Sequence, residues 1–166
     1  MATNVIETRE VTVTPVVDTN AYASGDVIGG VMTFENALRS YTRAGKVVAA
    51  TLFDKTASSG LAACNLWLFN ANPSASTTTD NAAFNLADAD VTKLAGIIPF
   101  TSDHVYDGGT GNQVLYNAGL YVPVTGQAPT NTNTDDTDIY GVLVAGGAVT
   151  FAAASDLIAR LAIEQD

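Results

Sequence analysis

At 166 residues the chain fits one domain, or one domain with an arm, and a chain of this length buries roughly 70% of its unfolded surface without needing staples. Only 14% of its residues are charged, against about 25% in an average soluble protein, while 47% are apolar and the mean hydropathy is +0.18. The net charge of −10 is uneven, with five basic and six acidic side chains in residues 1–60 but two and eleven in residues 61–166, which argues against nucleic acid as the main partner.

Taken in chain order, residues 1–14 read as an N-terminal arm, able to lie extended, ahead of a single domain over residues 15–166. In the arm, Val11-Thr12-Val13-Thr14 alternates apolar and polar, and Pro15 marks an edge position. Residues 26–34 are β-rich with Gly29 and Gly30 inside, which predicts a bulge or a close backbone approach. Residues 46–53 read as a buried strand. Residues 65–70 alternate, with Leu66, Leu68 and Asn70 on one face and Trp67 and Phe69 on the other. Residues 85–94 hold one or two helical turns, with Asp88 or Asp90 near the cap. Short strands follow at 95–100, 114–116 and 120–122, and a strong one at 138–144. Residues 148–151 follow the Gly146-Gly147 turn, which predicts a hairpin. In the tail, Leu161 and Ile163 alternate with Arg160, Ala162 and Glu164, which favours a closing strand over a helix. Two segments, 72–79 and 127–136, lack apolar groups and read as exposed loops. Many short strands with little helix predict an all-β fold, a β-sandwich or a jelly-roll-like barrel.

Chemistry is sparse. The single cysteine, Cys64, forms no internal disulfide and sits in a strand pattern, so a buried thiol is expected. His104 is the only histidine and reads as a loop residue, and a zinc site needs three or four well-placed ligands. Asp135, Asp136 and Asp138 carry the oxygen ligands calcium takes, but they lack the spacing of a calcium loop and read as a solvated acidic segment. Tyr22 and Tyr41 lie in turn-like surroundings, where an exposed platform for sugar is one reading and a half-buried strand edge the favoured one. No catalytic residue, cofactor or metal is expected. The first residues lack the pattern of a secretory signal, and no run approaches the ~18 apolar residues of a membrane span, so no membrane partner is expected.

The order of segments 21–30, 45–54, 65–73 and 80–90 resembles the small structural proteins of tailed bacteriophages, among them capsid decoration (cement) proteins. The likeness spans roughly residues 15–100. It implies a virion protein made in the host cytoplasm that binds the major capsid protein on the head exterior, often as a trimer. Its motifs are structural and carry no catalytic residue. A carbohydrate-binding or adhesin-like β-sandwich, or a phage tail or neck component, shares the composition. The apolar, weakly charged composition also suits a homo-oligomer. The nearly neutral N-terminal third is the expected contact region, through the apolar anchors Val5, Ile6, Val11 and Val13 and the basic cluster Arg39, Arg43 and Lys46.

Overall fold

The structure, a computed structural model, describes residues 6–57, 59–127 and 137–165. Nine strands are formed among them: β1 (Glu7–Val13), β2 (Val27–Phe34), β3 (Ala44–Asp54), β4 (Asn65–Phe69), β5 (Leu94–Pro99), β6 (Val105–Asp107), β7 (Gln113–Thr125), β8 (Ile139–Val144) and β9 (Leu157–Gln165). They make two antiparallel sheets packed face to face, one of five strands in the order β1-β9-β3-β7-β6 and one of four in the order β2-β8-β4-β5. The protein is thus an all-β sandwich, and the sheets do not close into a barrel.

Period-2 alternation builds the core. Along β9, Leu157, Ala159, Leu161 and Ile163 are buried while Ile158, Arg160, Ala162 and Glu164 between them are half-buried on the far face. That pattern makes the tail a strand. The opposing sheet contributes Ile28, Met32, Phe34, Leu66, Leu68, Ile98, Ile139 and Leu143 to the same cluster. Gly141 is required between them, because a Cβ there would meet the Phe34 ring at 2.9 Å and Leu66 at 3.2 Å. Cys64 is fully buried in this core, and burial pushes its thiol up to about 12.

The glycine pair of β2 forms the expected bulge. Ile28 pairs with Leu143 and Val31 with Val142, so Gly29 and Gly30 are both extra and both take positive φ. A Cβ on Gly29 would lie 2.5 Å from the Pro15 ring, so close approach applies as well. The Gly29 N–H donates to Asp80 Oδ1 at 2.6 Å, and the Tyr22 hydroxyl donates to the same oxygen at 2.8 Å while accepting from the Asp18 N–H at 2.5 Å. Tyr22 is therefore a buried tie, not an exposed ring, and its burial and the Asp80 carboxylate raise its hydroxyl pKa. Tyr41 is half-buried. Asp18 is held below the usual carboxylate range by the Asn20 backbone N–H and then by the Asn81 amide.

Three readings of the sequence need correction. The arm is, over Glu7–Val13, the edge strand β1 of this chain's own sheet, paired with β9 from Glu7↔Gln165 to Val13↔Ala159. The 114–116 and 120–122 pieces are one strand, β7, which skips register against β3 around Gly119, a residue at φ +71°. The hairpin at 148–151 does not form, because both edges of β8 are already taken by β2 and β4, and Val149 bridges to Tyr22 instead. The expected helical turn forms as α1 (Asp88–Val91), with Asp88 its first residue, and its N-cap, Ala87, makes no side-chain cap bond.

Candidate functional site

The two sheets treat their outer faces differently. On the four-stranded sheet the outward residues Val27, Phe69 and Val142 are fully buried, in a second cluster with Trp67, Tyr140 and Leu94. The segment 70–93 covers them, laying Phe84 against Trp67 with ring centroids 5.1 Å apart and packing Leu86 beside it. It is pinned by two backbone bonds with Val27, whose carbonyl accepts from the Asn81 N–H and whose N–H donates to the Ala82 carbonyl, by Asp80 at the bulge, and by Asp90. The Asp90 carboxylate is wholly buried. Its Oδ2 accepts from the Ala75 N–H and the Ser76 hydroxyl, and its Oδ1 lies 2.7 Å from the Lys93 ammonium in a close ionic contact. Lys93 and these donors hold the carboxyl below its ordinary range against the cost of burial. Asp90 thus fastens the covering segment and does not cap α1.

The outer face of the five-stranded sheet has no such cover among the described residues. Its register lays out four rows. The first, Ile158–Phe53–Val114–Tyr106, is apolar across four strands. The second is Thr12–Arg160–Thr51–Tyr116, the third Glu10–Ala162–Ala49–Ala118, and the fourth Thr8–Glu164–Lys46–Pro123. Tyr106, Tyr116 and Tyr121 are 58%, 43% and 78% exposed. The charges on this face come in pairs: Arg160 with Glu10 at 3.6 Å and Lys46 with Glu164 at 2.6 Å. The cations also stand over rings, Arg160 4.9 Å from Phe53 and Lys46 5.5 Å from Tyr121. A shallow cavity of about 240 Å³ lies beside Tyr121, lined also by Pro123, Lys46 and Glu164.

At the row-four end the first and last strands begin and finish together, with Glu7, Gln165 and Gly45 in register. The Gln165 amide turns inward, donating to the Ala37 carbonyl at 2.8 Å and accepting from the Arg39 N–H at 2.7 Å, so it ties the 37–39 loop to the end of β9. Arg39 in turn pairs with Glu7 at 2.6 Å. A second cavity of about 230 Å³ opens here between Glu7, Thr8, Arg9 and Arg39.

The residues expected to bind a partner divide accordingly. Ile6 is 64% exposed at this end, with Arg39 and Lys46 in their ion pairs close by and Arg43 exposed on the turn entering β3. Val11 and Val13 are half-buried and pack against this protein's own core from β1. Val5, Asp135 and Asp136 lie outside the described residues, and Asp138 accepts from the Asn36 N–H at 2.6 Å. No group of three or more potential metal ligands occurs among the described residues. His104 is half-buried, accepting from the Thr101 N–H through Nδ1 at 3.0 Å, and closes a short 3-10 turn. The three exposed tyrosines of β6 and β7 were not singled out from sequence. The alternation of Val114, Tyr116 and Ala118 against Leu115 and Asn117 is the signal that marks Tyr116 as outward-facing. No protein-family model and no curated protein matches the sequence.

Proposed function

We propose that this is a structural virion protein that binds the outer surface of an icosahedral phage head, contacts the major capsid protein, and stabilises the joints between capsid subunits as a homotrimer. The observation that carries the reading is the convergence at one end of the sandwich. Both terminal strands, the exposed Ile6 and the basic positions Arg39, Arg43 and Lys46 meet there, in an otherwise acidic chain. An antiparallel sandwich gives a stiff platform behind the contact. Ile6, directly before β1, is the exposed apolar residue at this end, and we propose that the chain leading into it lies along the shell.

The test is co-sedimentation with heads stripped of the protein. Deleting residues 2–6 leaves β1 intact and should abolish or greatly weaken binding without changing the thermal midpoint. Charge reversal at Arg39 and Arg43 should weaken binding less and make it more salt-sensitive. A truncated chain that binds as tightly as the full one sinks this assignment of the contact. Heads lacking the protein should also release DNA at lower temperature, since a ligand of the intact lattice stabilises it by mass action. Identical release curves would leave no cementing role.

A further inference from the structure

We propose that the open face of the five-stranded sheet binds a neutral carbohydrate chain, with Tyr106, Tyr116 and Tyr121 as the plates on which sugar rings stack. This goes beyond the lattice contact, which uses the end of the sandwich around Ile6, Arg39 and Arg43 and leaves the tyrosines free, with Lys46 at the border between the two. The first support is the kind of group exposed. Three tyrosines, each exposed by 43% or more, lie on the adjacent strands β6 and β7, and each ring presents an apolar body with a polar tip. The covered face shows that this fold buries aromatic groups under its own chain where it can, through Phe84 on Trp67.

Size and solvation decide between a saccharide and a protein as the occupant. Four strand spacings by the stretch from Phe53 to Lys46 make the face about 19 Å by about 24 Å. That is roughly half of the ~800 Å² per partner that a standard protein interface buries. A protein sealing the face would also strip water from the Arg160–Glu10 and Lys46–Glu164 pairs, at a desolvation cost that such pairs offset poorly. A hydroxyl-rich chain avoids that cost. Its hydroxyls donate to the carboxylates, accept from the guanidinium and ammonium, and stand where water stood. The two cations and two anions balance, so the face escapes the net charge of −10 and favours a neutral chain over an anionic or cationic one. The 240 Å³ cavity between Tyr121 and the Lys46–Glu164 pair gives one ring a partly enclosed seat.

Affinity electrophoresis of the full chain in native gels containing mannan, dextran or hydroxyethyl cellulose tests the proposal. Retardation is expected in at least one gel. Tyr116→Ala should weaken it about tenfold, the scale of one lost aromatic stacking partner. The triple change Tyr106→Ala, Tyr116→Ala, Tyr121→Ala should abolish it. Tyr116→Phe should keep it, and Ile97→Ala, an exposed site on the other sheet, should not alter it. All the substituted side chains are exposed, and circular dichroism verifies that the fold survives. No retardation in any gel, or retardation that persists in the folded triple variant, overturns the proposal. So does a triple variant that loses head binding while no polysaccharide retards the parent, since the face would then belong to the lattice.

Discussion

The outer faces of the two sheets start from similar material and end differently. Both carry aromatic and β-branched residues at alternate positions: Val27, Trp67, Phe69 and Val142 on one, Phe53, Val114, Tyr116 and Ile158 on the other. On the first, 24 residues of connecting chain fold back and turn the face into a second core. On the second, long charged side chains lie over the rings as Arg160 does over Phe53, and the face stays open. The difference lies in the connections. β4 and β5 are neighbours in the four-stranded sheet yet are joined by the long segment 70–93, which has nowhere to go but across the sheet it leaves. β6 and β7 are joined by a short glycine-rich turn that can cover nothing. An apolar outer strand face is thus a structural layer or a binding surface according to the length of the loop beside it.

Breaking the covered face should cost most. Phe69→Ala removes a fully buried ring and should lower stability by about 3–5 kcal/mol in denaturant unfolding. A loss under 1 kcal/mol would mean that the second cluster is not packed as a core. Asp90→Asn should come next, lowering the thermal midpoint and opening 70–93 to limited proteolysis while both sheets persist. This effect has a pH signature. The folded Asp90 carboxyl titrates below its ordinary 3.8, so its stabilisation is complete above that pH and is lost as pH falls through the lower folded value. The parent protein should therefore lose stability more steeply than Asp90→Asn on acidification below 3.8. Parallel pH profiles would remove Asp90 as the fastener.

The open face should be more tolerant. Phe53→Thr should cost only about 0.5–1 kcal/mol, the scale of an exposed cation–π contact, and a cost like that of Phe69→Ala would erase the contrast between the faces. Smallest of all, breaking Lys46–Glu164 with Lys46→Gln should change stability by less than about 1 kcal/mol, the change shrinking further in high salt.

Sandwich architecture was legible because it rests on local periodicity. The alternation in β4 put Trp67 and Phe69 opposite Leu66 and Leu68, and the tail's alternation gave β9. The glycine pair announced its bulge because positive φ is a property of the residue itself. Where the reading failed, the missing information was non-local. Tyr22 read as a half-buried strand edge, but its hydroxyl partner, Asp80, is 58 positions away. The reading of residues 1–14 as an arm likewise lacked β9, which comes from the far end of the chain to pair with β1. Of the expected partner-binding residues the sequence set the chemical types, but the gathering of Ile6, Arg39 and Lys46 at one end follows from the antiparallel pairing of β9 with β1 and β3.

What the sequence by itself determined was an all-β chain: strand periods, turn residues, low charge density and its skew are all written within a few residues of one another. What only the tertiary structure decided was which face of each sheet meets water. Alternation defines two faces per strand without naming the inner one, and where both are apolar the answer depends on which distant segment arrives to cover them. Residues 70–93 arrive over Trp67 and Phe69, and nothing among the described residues arrives over Phe53, Val114 and Tyr116. Burial is a property of the assembled surface, set by strand order and loop length together.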